Sequence, residues 1–223
     1  MNSEDEQSLL NAMRGVLAEA NTLLPGRVID YNPETRTADI QIEINKVTAD
    51  ERVINAPILY DVPVRWPSAK SCAAIISFPL AKGDTGDLKF AQRSIDEWIE
   101  SGIVTPEGTR THDLNDAVFY PGTAPQSEHV PAEADCMLVK CGLSVLRMYP
   151  DGRGAFEFPA GWTMDTTTAV INASESVTLA TPKVSVPTGD LEVTKGKLIN
   201  QGREFMQHKH MEQGDGAPTS PPL

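Results

Sequence analysis

The chain has 223 residues, with 31 acidic against 19 basic side chains, a net charge of −12 and a pI near 4.7. That length allows one large domain or two small ones with a buried core, while the charge disfavours nucleic acid and anionic lipid as partners. The acidic start MNSEDEQ lacks the positive region of a signal peptide and no run approaches the ~20 apolar residues of a membrane span, so synthesis as a soluble cytoplasmic product is expected.

Residues 3–23 read as an amphipathic helix. Ser3 and Glu6 are spaced as a capping box, and Leu9, Leu10, Met13, Val16, Leu17 and Ala20 recur on one face. Such a stripe docks either on its own domain or on another subunit. From Pro25 the apolar period becomes two, through Val28 and then Ala38, Ile40, Ile42 and Ile44, with the turn-rich residues 31–36 between: a β-hairpin. Runs at 62–64, 73–78 and 86–90, divided by prolines and by Lys82-Gly83-Asp84, add short strands whose spacing suggests a small barrel or sandwich. Residues 94–98 read as one helical turn, and 111–125 as a loop carrying a strand at 117–119. A second hairpin, 143–148 with 154–158, turns at Pro150-Asp151-Gly152, and the globular part is expected to end near Trp162. Cys72, Cys136 and Cys141 are too few for a disulfide framework and are expected as buried thiols.

Beyond Trp162 no Phe, Trp or Tyr occurs until Phe205, so the intervening chain lacks the side chains that ordinarily fill a core. It falls instead into seven-residue rows opened by Val170, Val177, Val184, Leu191 and Leu198, with Leu179, Val186 and Val193 at the third position. A coiled coil needs apolar spacings of three and four, whereas these are two and five, and Pro182, Pro187, Gly189 and Gly196 would break a helix. Residues two apart share a face on a strand, so each row reads as a strand of about three residues followed by a bend, the pattern of a β-helix or β-prism. One such chain leaves an aliphatic edge uncovered, and three chains wrapped about one axis would bury all three edges. The competing reading is a flexible Thr-rich linker.

The chain has four histidines, His112, His129, His208 and His210, and the last pair follows the repeat directly. On an extended segment both imidazoles of the pair face the same way, with Lys209 opposite. Three chains would bring six imidazoles together, two from each, an octahedral set that suits a transition ion such as iron better than four-coordinate zinc. The following MEQGDGAPTSPPL is rich in Gly and Pro and suits a short cap. A cupin-type metal site is a poorer reading: Glu212 lies too close to His210, and thirteen residues leave no room for a further ligand strand.

Several stretches carry a family resemblance: residues 26–31 (GRVIDY), 61–64 (DVPV), 78–80 (FPL) with Gly83-Asp84, 92–98 (QRSIDEW) and 114–122 (LNDAVFYPG). In this order, followed by the repeat and the terminal pair of histidines, the chain resembles the baseplate spike of contractile-tail bacteriophages, the membrane-puncturing needle. The resemblance implies a mainly β chain: an N-terminal helix (1–24), an OB-fold barrel that attaches to a baseplate hub protein (25–130), a connecting hairpin (131–162), an intertwined trimeric β-helix or β-prism (163–204) and an apex (205–223). It further implies that His208 and His210 of each chain hold one iron per homotrimer, another transition metal being an open alternative, and that the protein resides in the virion tail baseplate and meets the host outer membrane transiently. The shaft, at about five rows, is short for the family.

No enzymatic activity and no small-molecule substrate are expected. Asp96, Glu97 and Glu100 fall on a short helical turn where solvated charge, without the raised pKa of a catalytic carboxyl in a cleft, is the plainer reading. Two other classes stand against the spike. An OB-type module binding saccharide or nucleic acid would show a basic groove, yet residues 1–162 carry 14 basic and 24 acidic side chains. A metal-dependent oxygenase would need its whole ligand set within one chain.

Overall fold

The computed structural model describes residues 3–48, 50–106 and 108–207, and the chain divides into two units, Met1–Pro159 and Ala160–Leu223. The first begins with helix α1 (Ser3–Glu19). Its stripe is uncovered by any described residue: Leu9, Leu10, Met13, Val16 and Leu17 are all about half exposed or more. Lys46 reaches its last residue, Glu19, at 2.8 Å.

A barrel-like sheet follows. Strands β1 (Leu23–Asn32) and β2 (Thr37–Ile42) form the expected hairpin, with β2 alternating half-buried and buried along its whole length, the signature of a strand with one face on a core. Asn32 Oδ1 accepts from the Glu34 amide at 3.0 Å across the turn, and a bulge in β1 between Val28 and Asp30 bends the strand. Between β2 and β5 (Ile58–Pro63) the chain makes a two-residue ladder, β3 (Lys46–Val47) with β4 (Val53–Ile54). A second small ladder pairs β6 (Ser68–Ala69) with β7 (Ala74–Ile75). The expected strand at 73–78 is cut to those two residues, because Lys70, Ser71 and Cys72 turn the chain through three successive positive φ angles.

After β8 (Thr85–Phe90) come α2 (Asp96–Ser101), a 3-10 helix (Leu114–Asp116) and β9 (Ala117–Pro121). The five long strands are ordered β5-β2-β1-β8-β9, every neighbouring pair antiparallel. The sheet curls into a half-barrel whose edges meet through a parallel bridge, Val64 with Phe119, and the Arg65 amide donates to the Phe119 carbonyl at 2.9 Å. Val28, Ile40, Leu88 and Phe119 are fully buried at its centre. Gly26 faces Gly86 across β1 and β8, and a side chain at Gly86 would strike the Tyr120 carbonyl and lie 2.8 Å from the Phe119 ring.

The unit closes with a three-stranded antiparallel sheet, β10 (Met137–Cys141), β11 (Ser144–Met148) and β12 (Gly154–Glu157). The sequence pattern announces β11 and β12 but not β10, whose residues MLVKC do not alternate in polarity. The cysteines depart from expectation: Cys72 and Cys141 are exposed and Cys136 is half buried, since each sits in a turn or on a small sheet outside the barrel core.

In the second unit residues 161–198 make no strand pairing and bend at 167, 174–175, 181–182, 187–189 and 195–196. The bends recur with the period of the rows. Every row-opening aliphatic is exposed, from 45 % at Leu198 to 74 % at Val170. A hairpin of β13 (Ile199–Asn200) and β14 (Arg203–Glu204) then turns on Gln201 and Gly202, both with positive φ, and leads into a 3-10 turn, Phe205–Gln207.

Candidate functional site

The tip ligands expected from the sequence, His208 and His210, lie outside the described residues. The described chain leading to them is a closed hairpin: the Phe205 amide donates to the Leu198 carbonyl at 2.8 Å, and Lys197 Nζ meets Glu204 at 2.6 Å. The imidazole nitrogens of the pair are a donor set suited to first-row transition ions.

Among the described residues one group of metal-ligating type comes together, Glu133, Asp135 and Cys136, with ligand atoms within 4.8 Å of one another. Its chemistry is that of an ion-pair network. Arg147 donates to both oxygens of Glu133, at 2.8 and 2.9 Å, and to Glu157 at 2.8 Å. Those bonds, with a weaker one from the Cys136 thiol, pull the Glu133 carboxyl down to about 2, while burial and then Glu133 itself push the Cys136 thiol up. A carboxylate already holding a bidentate guanidinium has little left for a metal.

One carboxylate of α2 is likewise engaged in structure. Asp96 binds Arg110 Nη2 at 2.6 Å, and the same guanidinium donates to Ser94 Oγ at 2.9 Å and to the fully buried Asp116 at 3.0 Å. Asp116 also accepts from the Ile95 amide at 3.1 Å. Asp116 and then Asp96 raise the Arg110 pKa, holding it charged. This cluster joins residues 92–98 to 114–122, two of the stretches that carry the family resemblance, and so pins the long β8–β9 connection. Sequence reading passed over Arg110; an arginine between two acidic stretches that must cover one barrel end was the available signal. On the opposite side Arg27 donates to Glu43, to the Gly83 carbonyl at 2.8 Å and to both oxygens of Glu128, tying the chain after β9 back to β1.

A groove of about 370 Å³ runs between β5 and α2, lined by Tyr60, Asp61, Ile95, Asp96, Ile99 and Glu100 among others, with no basic residue in its walls. Such a lining repels a phosphate backbone. Of its carboxylates, Asp96 is paired with Arg110 and sits half exposed. No helix among the described residues is long and apolar enough to cross a membrane.

No curated protein matches the chain. Residues 24–122, the half-barrel with both of its anchoring networks' barrel residues, match the family model of the phage protein Gp138 N-terminal domain.

Proposed function

We propose that the chain is the central spike of a contractile-tail phage baseplate: a homotrimer that seats its barrel end on a baseplate hub protein, plugs the tail-tube hub, and pierces the host outer membrane when the sheath contracts. The observation that carries this reading is an order along the chain. A Gp138-type domain is followed by rows that bend every seven residues with their aliphatics exposed, and then by the paired histidines. The five-stranded sheet with its parallel closure has the connectivity of an OB-fold, a partly open five-stranded barrel.

Puncturing calls for stiffness and a closed point. Three interwound chains supply the first by sharing backbone hydrogen bonds, which leaves no open strand edge along the shaft. His208 and His210 of the three chains supply the second by holding an iron, which keeps the chain ends together where termini would otherwise fray. At −12 per chain the trimer carries −36, so an anionic outer surface repels it and the work of insertion comes from the sheath. The device turns nothing over.

Light scattering on the full chain tests the reading. A particle of three times 24.2 kDa supports it; a particle of one chain's mass removes the shaft argument and returns the barrel to the class of OB-type binding modules.

A further inference from the structure

The β10–β12 sheet has two unlike faces. Its register sets Met137 opposite Met148, Val139 opposite Leu146, and Leu146 opposite Phe156. Alternate residues of a strand point the same way, so these five share one face with Cys141, and that face carries no charged residue. The other face presents Lys140, Val145, Arg147 and Glu157, and the segment ahead of β10 lies over it through the bond of Glu133 to Arg147.

Burial runs opposite to what polarity alone would arrange. On the mixed face Val145 is 7 % exposed, whereas on the apolar face Phe156 is 70 %, Met137 59 % and Val139 49 % exposed. The Phe156 ring also stacks loosely on Phe158, centroids 6.3 Å apart, which extends the apolar surface along the chain toward the repeat.

We infer that this face is where copies of the chain meet ahead of the shaft, as a collar in which Phe156 and Cys141 are buried against their counterparts; the inference rests on the trimer proposed above. Two arguments select a second copy as the occupant. The first is area. Aromatic side chains offer about 150–250 Å² each, so these exposures leave on the order of 400 Å² of apolar surface per copy, the size of the largest patch on a typical monomer and one that is often functional. About a threefold axis that makes on the order of 400 Å² of apolar surface for each pair of copies, too little for a stable interface alone and so an addition to the contact made by the shaft. The second is charge: copies that each carry −12 repel one another over most of their surface, and an uncharged face meets its own image without opposing like charges.

The test uses the cysteines of the native full-length protein. In a single chain Cys72 and Cys141 are both exposed. Site-resolved mass spectrometry after alkylation with N-ethylmaleimide, with and without urea, gives the protection of each. The collar predicts that Cys72 labels freely while Cys141 is slowed by at least about tenfold relative to the unfolded chain. The Phe156→Asp variant, followed by light scattering, should lose the trimer or dissociate at higher concentration than wild type. A wild-type trimer whose Cys141 labels as readily as in urea overturns the collar and leaves the spike reading standing. A trimer of Phe156→Asp with unchanged dissociation does the same. A wild-type monomer overturns both.

Discussion

Replacing Asp116 by Ala should destabilise the barrel far more than any other change to its surface network. The carboxylate is fully buried and accepts from the Ile95 amide at 3.1 Å and from Arg110 Nε and Nη2 at 3.3 and 3.0 Å. Removing it strands a partly buried amide, at about 1–3 kcal/mol, and deprives a guanidinium of a charge-assisted partner, at about 1.5–3 kcal/mol. The second cost is reduced because Arg110 is 37 % exposed and keeps Asp96. The sum is about 2–4 kcal/mol. Urea unfolding of the full chain, followed by the fluorescence of Trp66 and Trp98, measures it: with a slope of about 2 kcal/mol per molar for a domain of this size, the midpoint should fall by roughly 1–2 M. Asp116→Asn, which keeps an acceptor for Ile95, should lose about half as much. Asp96→Ala, whose carboxylate is half exposed, should cost no more than about 1 kcal/mol. If Asp116→Ala moves the midpoint no further than Asp96→Ala, the buried network does not hold the β8–β9 connection.

Gly86→Ala should cost at least about 2 kcal/mol in the same assay, because the added methyl meets the Tyr120 carbonyl and the Phe119 ring between two paired strands; Gly15→Ala on α1, with open space around it, should instead raise helicity by circular dichroism. The Glu133 clamp has a pH window set by its depressed pKa: a free glutamate protonates near 4.5 and this one near 2, so its contribution is complete above 4.5 and lost as pH falls through 2. A ¹³C carboxyl titration should therefore show Glu133 ionised at pH 3.5, and Arg147→Gln should return its midpoint to the ordinary range; a wild-type midpoint near 4.5 would dispose of the clamp. Changing both His208 and His210 to Ala should remove bound metal, read by elemental analysis, while light scattering still gives a trimer, since in the proposed trimer the rows and not the tip would bury most apolar surface. Stoichiometric iron in that variant would show that other residues are the ligands.

Legibility in the sequence followed how each segment is buried. Strands with one face on the core, such as β2 and β8, show alternation that a reader can follow, and Ala38, Ile40, Ile42, Leu88 and Phe90 are buried as their period implies. The β3–β4 ladder and β10 carry no such pattern because neither has a buried face within the chain. At 73–78 an apolar run suggested a strand, and the three left-handed residues before it shortened the pairing. The rows after residue 160 were legible as a repeat, and their bends fall where the period puts them. Between residues 161 and 198 they form no ladder within the single chain, because a four-residue bend is far shorter than the dozen or more residues that a parallel crossover between successive strands needs. Arg110 was hidden because its role depends on Asp96 and Asp116, residues 14 and 6 positions away that only the fold brings together.

Native mass spectrometry of the purified full chain bears on the spike most directly, since one spectrum counts both chains and metal ions in the same particle. A trimeric spike gives three chains with one iron ion. A single chain, with or without metal, would contradict it.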